Sequence, residues 1–261
     1  GKGPFIAIIL NQKKPIYDFR KTSNGVKRVN LELFDKKRIY RNWTGGGHKV
    51  HTSNDLIEAS RDIFFLTNKK YDEFKSSDKW DGRIKYIKKD ILGCNGWKNF
   101  NQLFEFINYS SEYLVLRNYS NLNSENYDQN DIDFLTSDNN FRYHINGIKK
   151  NISKNRVAYQ LKIDNKFYSI DIRTLYDDYY DLNWSKKMIN GRIKHQNNFF
   201  IPNIQDEFYS LLYHSIVHRN NYSHNYIEEL KKMAIINSIK INPEIFSDKK
   251  KMLDILKKFM K

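Results

Sequence analysis

Asp131 and Asp133 lie two residues apart in Tyr127-Asp128-Gln129-Asn130-Asp131-Ile132-Asp133-Phe134-Leu135, and a third carboxylate, Asp171, is flanked by Ile170 and Ile172. Side chains alternate faces along a strand, so Asp131 and Asp133 share one face while Ile132 and Phe134 turn to a core. Carboxylates held side by side repel one another unless a cation neutralises them. Hard divalent cations, Mg²⁺ or Mn²⁺, take such oxygen ligands, often together with substrate phosphates. Asp131, Asp133 and Asp171 are therefore the candidate metal ligands and catalytic residues. Asp-x-Asp also serves as a turn or cap. The apolar flanks, and the matching Asp171 in the strand-like run Lys166 to Arg173, favour the metal reading.

Phosphoryl and nucleotidyl transfer suit such a constellation. They need charge neutralisation and in-line alignment more than covalent chemistry. Two metal ions roughly 4 Å apart, clamped by shared carboxylates, supply both. Arg173 leaves the same strand as Asp171 and is placed to hold phosphate.

The elements that must position these groups follow from periodicity. The run Phe5 to Leu10 is apolar throughout and predicts a buried strand. Helices are expected over Leu31 to Arg41, Ser53 to Leu66 and Phe100 to Tyr109, the last with Phe100, Leu103, Phe104 and Ile107 on one stripe. Tyr113 to Leu116 reads as a strand ending at Arg117-Asn118-Tyr119. Residues 156–163 and 166–173 form a hairpin across Asp164-Asn165. Helices then follow over Asp206 to Arg219, Tyr226 to Ile236 and Ser247 to Met260. The expected fold class is α+β, a mixed sheet carrying the Asp-x-Asp strand with a helical C-terminal subdomain. Residues 67–98 are charged and glycine-broken, which predicts three parts: 1–98, an N-terminal α/β segment; 99–205, a catalytic core; and 206–261, a helical subdomain.

This order of helix, strand, loop, Asp-x-Asp strand and third-Asp strand resembles the nucleotidyltransferase fold of the DNA polymerase β type. Tyr113 to Arg117, Asp131-Ile132-Asp133 and Ile170-Asp171-Ile172 carry the likeness, over roughly residues 100–220. The resemblance implies that Asp131 and Asp133 hold metal ions bridging nucleotide phosphates. It implies that Asp171 completes the second metal site and helps activate the acceptor hydroxyl. The chain departs from the family at the end of the first strand. Arg117-Asn118 stands where Gly-Ser usually cradles phosphate, which puts ordinary nucleoside triphosphate binding in doubt. A guanidinium and an amide are the replacement phosphate ligands. The phosphotransferases of the LicD/fukutin group, which move a phospho-alcohol from a CDP donor onto a glycan, also use closely spaced Asp residues. The chain is further similar to uncharacterised proteins of surface-polysaccharide gene clusters. A nucleotide or nucleotide-activated donor and a glycan or small-molecule acceptor are the expected partners.

A second notable stretch is Thr44-Gly45-Gly46-Gly47-His48-Lys49-Val50-His51. Glycines permit close backbone approach and positive φ, and successive N–H groups can form an anion nest. Gly45, Gly46, Gly47, His48, Lys49 and Arg41 are accordingly candidate phosphate or sugar ligands in a loop that closes over the aspartates. The stretch lacks the Gly-Lys-Ser/Thr ending of a Walker A loop. The plain alternative is a hinge or tight turn. His48 and His51 have no Cys or third His nearby to complete a zinc site.

Several other residues have structural roles as their first reading. His214 and His218 share a helix face, where His214 is placed to hydrogen-bond into the wall of the site. Asp177, Asp178 and Asp181 read as loop or helix caps. Trp43, Trp80, Trp97 and Trp184 read as core residues, and Cys94 as an inert thiol.

The 261 residues carry a formal charge of +15, which favours anionic partners such as nucleotides, nucleic acids, phosphorylated sugars or acidic lipids. The lysines are dispersed or clustered near the C-terminus, a pattern of solvated helix faces more than of a nucleic-acid stripe. One cysteine excludes an internal disulfide and fits a reducing, cytoplasmic compartment. No apolar run is long enough for a membrane span. Two other classes compete with the transferase. A GT-A type glycosyltransferase would use Asp-x-Asp to hold Mn²⁺ and a sugar nucleotide, and it predicts a parallel nucleotide-binding sheet ahead of the motif. A basic polyanion- or RNA-binding module would lose affinity steeply with salt.

Overall fold

The structure is a computed structural model. It describes all residues except 1–3, 24, 75–79, 81, 118, 120–121, 123–130, 154–155, 220–223, 238, 240 and 261, with the side chains of 151–158, 243 and 247 also outside the description. The chain divides into two compact units, Gly1–Asn95 and Gly96–Lys261.

The first unit holds an antiparallel ribbon, β1 (Tyr17–Thr22) and β2 (Gly25–Asn30), and two helices, α1 (Leu31–Trp43) and α2 (Leu56–Thr67). Asn30 caps α1 by accepting from Leu33 N–H, and Asp55 caps α2 by accepting from Glu58 N–H. The expected N-terminal strand is not formed. Residues 4–12 take neither helix nor strand, and Phe5, Ile6, Ile8 and Leu10 are exposed. A strand needs a neighbour for its backbone groups, and among the described residues β1 and β2 pair only with each other.

The second unit is built on a five-stranded mixed sheet in the order β3-β4-β7-β6-β5. Its strands are β3 (Tyr113–Arg117), β4 (Ile132–Thr136), β5 (Ile148–Ser153), β6 (Arg156–Ile163) and β7 (Lys166–Thr174). Helix α3 (Phe100–Ser110) precedes β3, and the short α4 (Phe141–His144) follows β4. The β6–β7 turn places Asp164 and Asn165 at φ 47° and 62°, the left-handed pair of a tight hairpin. Among the described strand pairs of this sheet only β4 and β7 run parallel. Gly96 (φ +102°) lets the chain pass close to β6, where a Cβ would meet Lys162 O at 2.9 Å. Trp97 can then donate its backbone N–H to Lys162 O and its indole N–H to Ile145 O, both at 2.8 Å.

Each sheet face buries a different set of side chains. Tyr113 and Phe134 meet Phe104 and Phe141 on one face. On the other, Leu114, Leu116 and Leu135 pack with Tyr179, Tyr180 and with Trp184, Met188 and Ile189 of α5 (Leu182–Asn190). A two-residue ribbon, β8 (Ile193–Lys194) with β9 (Phe200–Ile201), then leads into α6 (Ile204–Tyr213). A π-helical turn, His214–His218, extends α6, and α7 (His224–Ile236) and α8 (Lys249–Met260) close a helical core around Phe208, Leu212, Leu230, Phe246 and Leu256. Tyr209 and Tyr213 of α6 also pack on the sheet-side cluster, so the C-terminal helices share the second unit with the sheet. Among the described residues no helix is long and apolar enough to cross a membrane. The architecture is thus α+β with a five-stranded mixed sheet.

Candidate functional site

Asp133 and Asp171 stand directly opposite each other on the parallel strands β4 and β7. In-register neighbours on a sheet point to the same face, so the two carboxylates share one face, side by side. They are 8% and 7% exposed. Asp131 immediately precedes β4 and is exposed. Burial raises the Asp133 carboxyl above the usual carboxylate range; Arg117 opposes the rise, while the charges of Asp171 and Asp131 add to it. The three expected aspartates are thus one electrostatic group, with Asp131 at its solvent side.

Two guanidinium groups enter this group. The antiparallel register of β3 on β4 slips between Val115 and Arg117, so Arg117, not Leu116, is paired with Asp133. Such a bulge re-aims a side chain that strict alternation would send to the opposite face. Arg117 Nε then donates to Asp133 Oδ2 at 3.0 Å. Arg173 lies two residues beyond Asp171 on the same strand face, and its Nη2 donates to Asp171 Oδ2 at 2.7 Å. Burial works against the Arg117 charge, but Asp133, Tyr180 and Tyr179 outweigh it and keep the guanidinium protonated. Arg117 Nη1, Arg173 Nε and Tyr180 Oη are buried with no hydrogen-bond partner among the described residues. Buried donors of this kind call for a neighbouring group, an ordered water or a ligand to complete them. Asn118, the other expected phosphate ligand, lies outside the described residues.

An aromatic and histidine layer lies against the arginines. Arg173 Cζ sits 4.0 Å from the Tyr179 ring centroid. The His218 ring stacks on Tyr179 at 3.9 Å and 5°. Tyr179 Oη and His214 Nδ1 are 2.7 Å apart. The π-helical turn carries both histidines toward Tyr179, and single π turns recur at functional sites. Burial, followed by the charge of Arg117, pushes His214 down to about 3, so its ring is neutral and Nδ1 can accept a hydrogen bond from the Tyr179 hydroxyl. Tyr119 Oη donates to Glu207, whose carboxyl burial raises. Tyr179 and Tyr180 follow a charged turn in the sequence, and no periodicity marks them as part of the site. Asp177 and Asp181 are caps: Asp177 accepts from Thr174 and Tyr179 N–H, and Asp181 from Asn183 and Trp184 N–H.

The glycine-rich stretch belongs to the first unit and is the C-terminus of α1. Gly45, Gly46 and Gly47 take φ of +81°, +82° and +73°. Gly45 N–H donates to Asn42 O at 3.1 Å and Gly46 N–H to Arg41 O at 2.7 Å. Lys49 Nζ donates to Thr44 O, and Arg41 Nε to Val50 O. The N–H groups of Gly45 and Gly46, expected in an anion nest, are thus engaged within the chain. Their N–H groups close the last turn of a helix whose end carries negative dipole, as glycine C-caps do. At the start of α2, Glu58 accepts from the Asn54 N–H and Asp55 from the Glu58 N–H. His51 turns to α2, with Nε2 3.4 Å from Glu58 Oε1 and 3.5 Å from Asp62 Oδ2.

Trp97 and Trp184 are core residues as expected, whereas Trp43 and Trp80 are exposed. Cys94 is exposed and its thiol is shifted up, by desolvation first and then by Asp90, away from the reactive thiolate. No protein-family profile matches the chain, and neither the curated proteins nor the solved structures compared with it give a match.

Proposed function

We propose that this protein is a metal-dependent nucleotidyl- or phosphotransferase that takes a nucleotide-activated donor and acts on a glycan or glycan precursor. The observation that carries the reading is the in-register pair Asp133 and Asp171, both buried, on the parallel strands β4 and β7. Asp131, Asp133 and Asp171 offer only oxygen donors, the chemistry of a hard cation such as Mg²⁺ or Mn²⁺. Such a cation supplies charge neutralisation for the transferring phosphoryl group. Arg117 and Arg173 would bind and orient the donor phosphates, since a guanidinium fork fits phosphate as well as carboxylate. Asp171 would accept the proton of the acceptor hydroxyl, and Asp131 would face the incoming ligand from the solvent side. The nucleotidyltransferase resemblance supports the same assignment of roles.

The glycosyltransferase reading is less well supported. It calls for a parallel nucleotide-binding sheet ahead of the Asp-x-Asp motif. The described residues before Asp131 form only the antiparallel ribbon β1–β2 and the edge strand β3.

Calorimetric titration with ATP, GTP, CTP, UTP, CDP-alcohols and UDP-sugars, each with Mg²⁺ or Mn²⁺, tests the proposal. Binding that requires metal and is lost in Asp131→Ala/Asp133→Ala is the expected result. Absence of nucleotide binding, or binding indifferent to the double substitution, refutes it and brings forward a polyanion-binding module.

A further inference from the structure

The first unit contains a second ligand-like cluster, made of His51, Glu58 and Asp62. Glu58 and Asp62 are four residues apart on α2 and so share a face. His51 approaches that face from the preceding segment. His51 Nε2, a Glu58 carboxylate oxygen and an Asp62 carboxylate oxygen lie within 4.8 Å of one another.

The spacing of the three atoms is informative. Charge-assisted hydrogen bonds close to about 2.7–2.9 Å. His51 Nε2 instead stands off at 3.4 Å from Glu58 Oε1 and 3.5 Å from Asp62 Oδ2. Zinc bonds nitrogen and oxygen at about 2.0–2.1 Å, which gives a tetrahedral edge of about 3.3–3.4 Å. An octahedron around Mg²⁺ has edges of about 2.9 Å. The two separations from His51 Nε2 therefore match edges of a tetrahedral ion with mixed nitrogen and oxygen ligands.

The carboxylates are also held from behind. Asn54 N–H donates to Glu58 Oε2 at 2.5 Å, and Arg61 donates to Asp62 Oδ1 from Nη2 at 2.8 Å and from Nε at 3.1 Å. Ser53 Oγ donates to Asp62 Oδ2 at 3.0 Å. Outer contacts of this kind orient metal ligands before the ion arrives. Arg61 Nη2 also lies 3.5 Å from Glu58 Oε1, so one cation already leans on the cluster and weakens its attraction for a second.

We propose that His51 Nε2, Glu58 Oε1 and Asp62 Oδ2 bind one Zn²⁺-class ion, with solvent in the fourth position.

The test is titration of the full chain with Zn²⁺ against a chromophoric chelator. The expected result is a tight site that a chelator empties. His51→Ala and Glu58→Gln should each weaken it by at least about 100-fold, more than the loss of an outer contact. Asp131→Ala should leave it unchanged, which separates this site from the proposed transfer centre. His51 is exposed and lies outside the core, and circular dichroism checks that each variant keeps the fold. No Zn²⁺ binding by wild type, or affinity in either cluster variant within about threefold of wild type, overturns the proposal.

Discussion

Arg117 reaches Asp133 because β3 bulges. The slip between Val115 and Arg117 brings Nε to 3.0 Å from Asp133 Oδ2, in a pair with side chains only 10% and 11% exposed. Removing one partner of a buried ion pair strands the other charge, at a cost of about 3–5 kcal/mol. Arg117→Met should therefore destabilise the protein by about that amount in urea unfolding. Arg117→Met combined with Asp133→Leu should recover most of the loss. If the single variant unfolds at the wild-type midpoint, the pair has no structural weight.

The two shifted histidines act on stability in opposite pH ranges. His51 titrates at about 9 in the folded state, above its unfolded value near 6.5. Its contribution is complete below about pH 6.5 and is lost as pH rises through 9. His214 is depressed to about 3 by burial and by Arg117. The unfolded chain therefore binds the proton first, and stability falls as pH drops below about 6.5 toward 3. Metal-free protein should show greatest thermal stability near pH 6.5, as far as these two groups decide it. His214→Gln should flatten the acid limb and His51→Ala the alkaline limb.

Gly46 separates the capping reading of the glycine stretch from a ligand-binding one. Its φ is +82° and its N–H closes α1 at 2.7 Å from Arg41 O. An alanine in the left-handed region costs about 1–2 kcal/mol. Gly46→Ala should lower the unfolding midpoint while leaving nucleotide affinity within twofold of wild type. A large affinity loss at unchanged stability would instead return these residues to the binding site.

The hairpin turn has room for improvement. Asn165 holds φ of 62° at the second position of a two-residue turn, where glycine is favoured. Asn165→Gly should stabilise by up to about 1 kcal/mol, read as a higher urea midpoint.

Much of this architecture follows from local sequence. Phe100, Leu103, Phe104 and Ile107 mark α3 by helical spacing, and the strand runs around Asp133 and Asp171 are legible from alternation, because periodicity reports which face is buried. Asp164-Asn165 announces its turn for the same local reason. The Phe5 to Leu10 run shows the limit of such signals. Apolar composition predicts a buried strand, but pairing is a long-range event, and no described strand takes it up.

The contacts of the site were decided by tertiary structure. Alternation alone would put Leu116 opposite Asp133; the bulge substitutes Arg117. Tyr179 meets His214 and His218 across 35 and 39 residues of chain, through a π-helical turn that no spacing rule foretells. His51 finds its partners in two carboxylates on α2, invisible to a search for neighbouring Cys or His. Local sequence sets which residues are apolar, charged or turn-forming. Which polar groups finally meet depends on register and on packing between distant segments, because hydrogen bonds and ion pairs are short-ranged and require that geometry first.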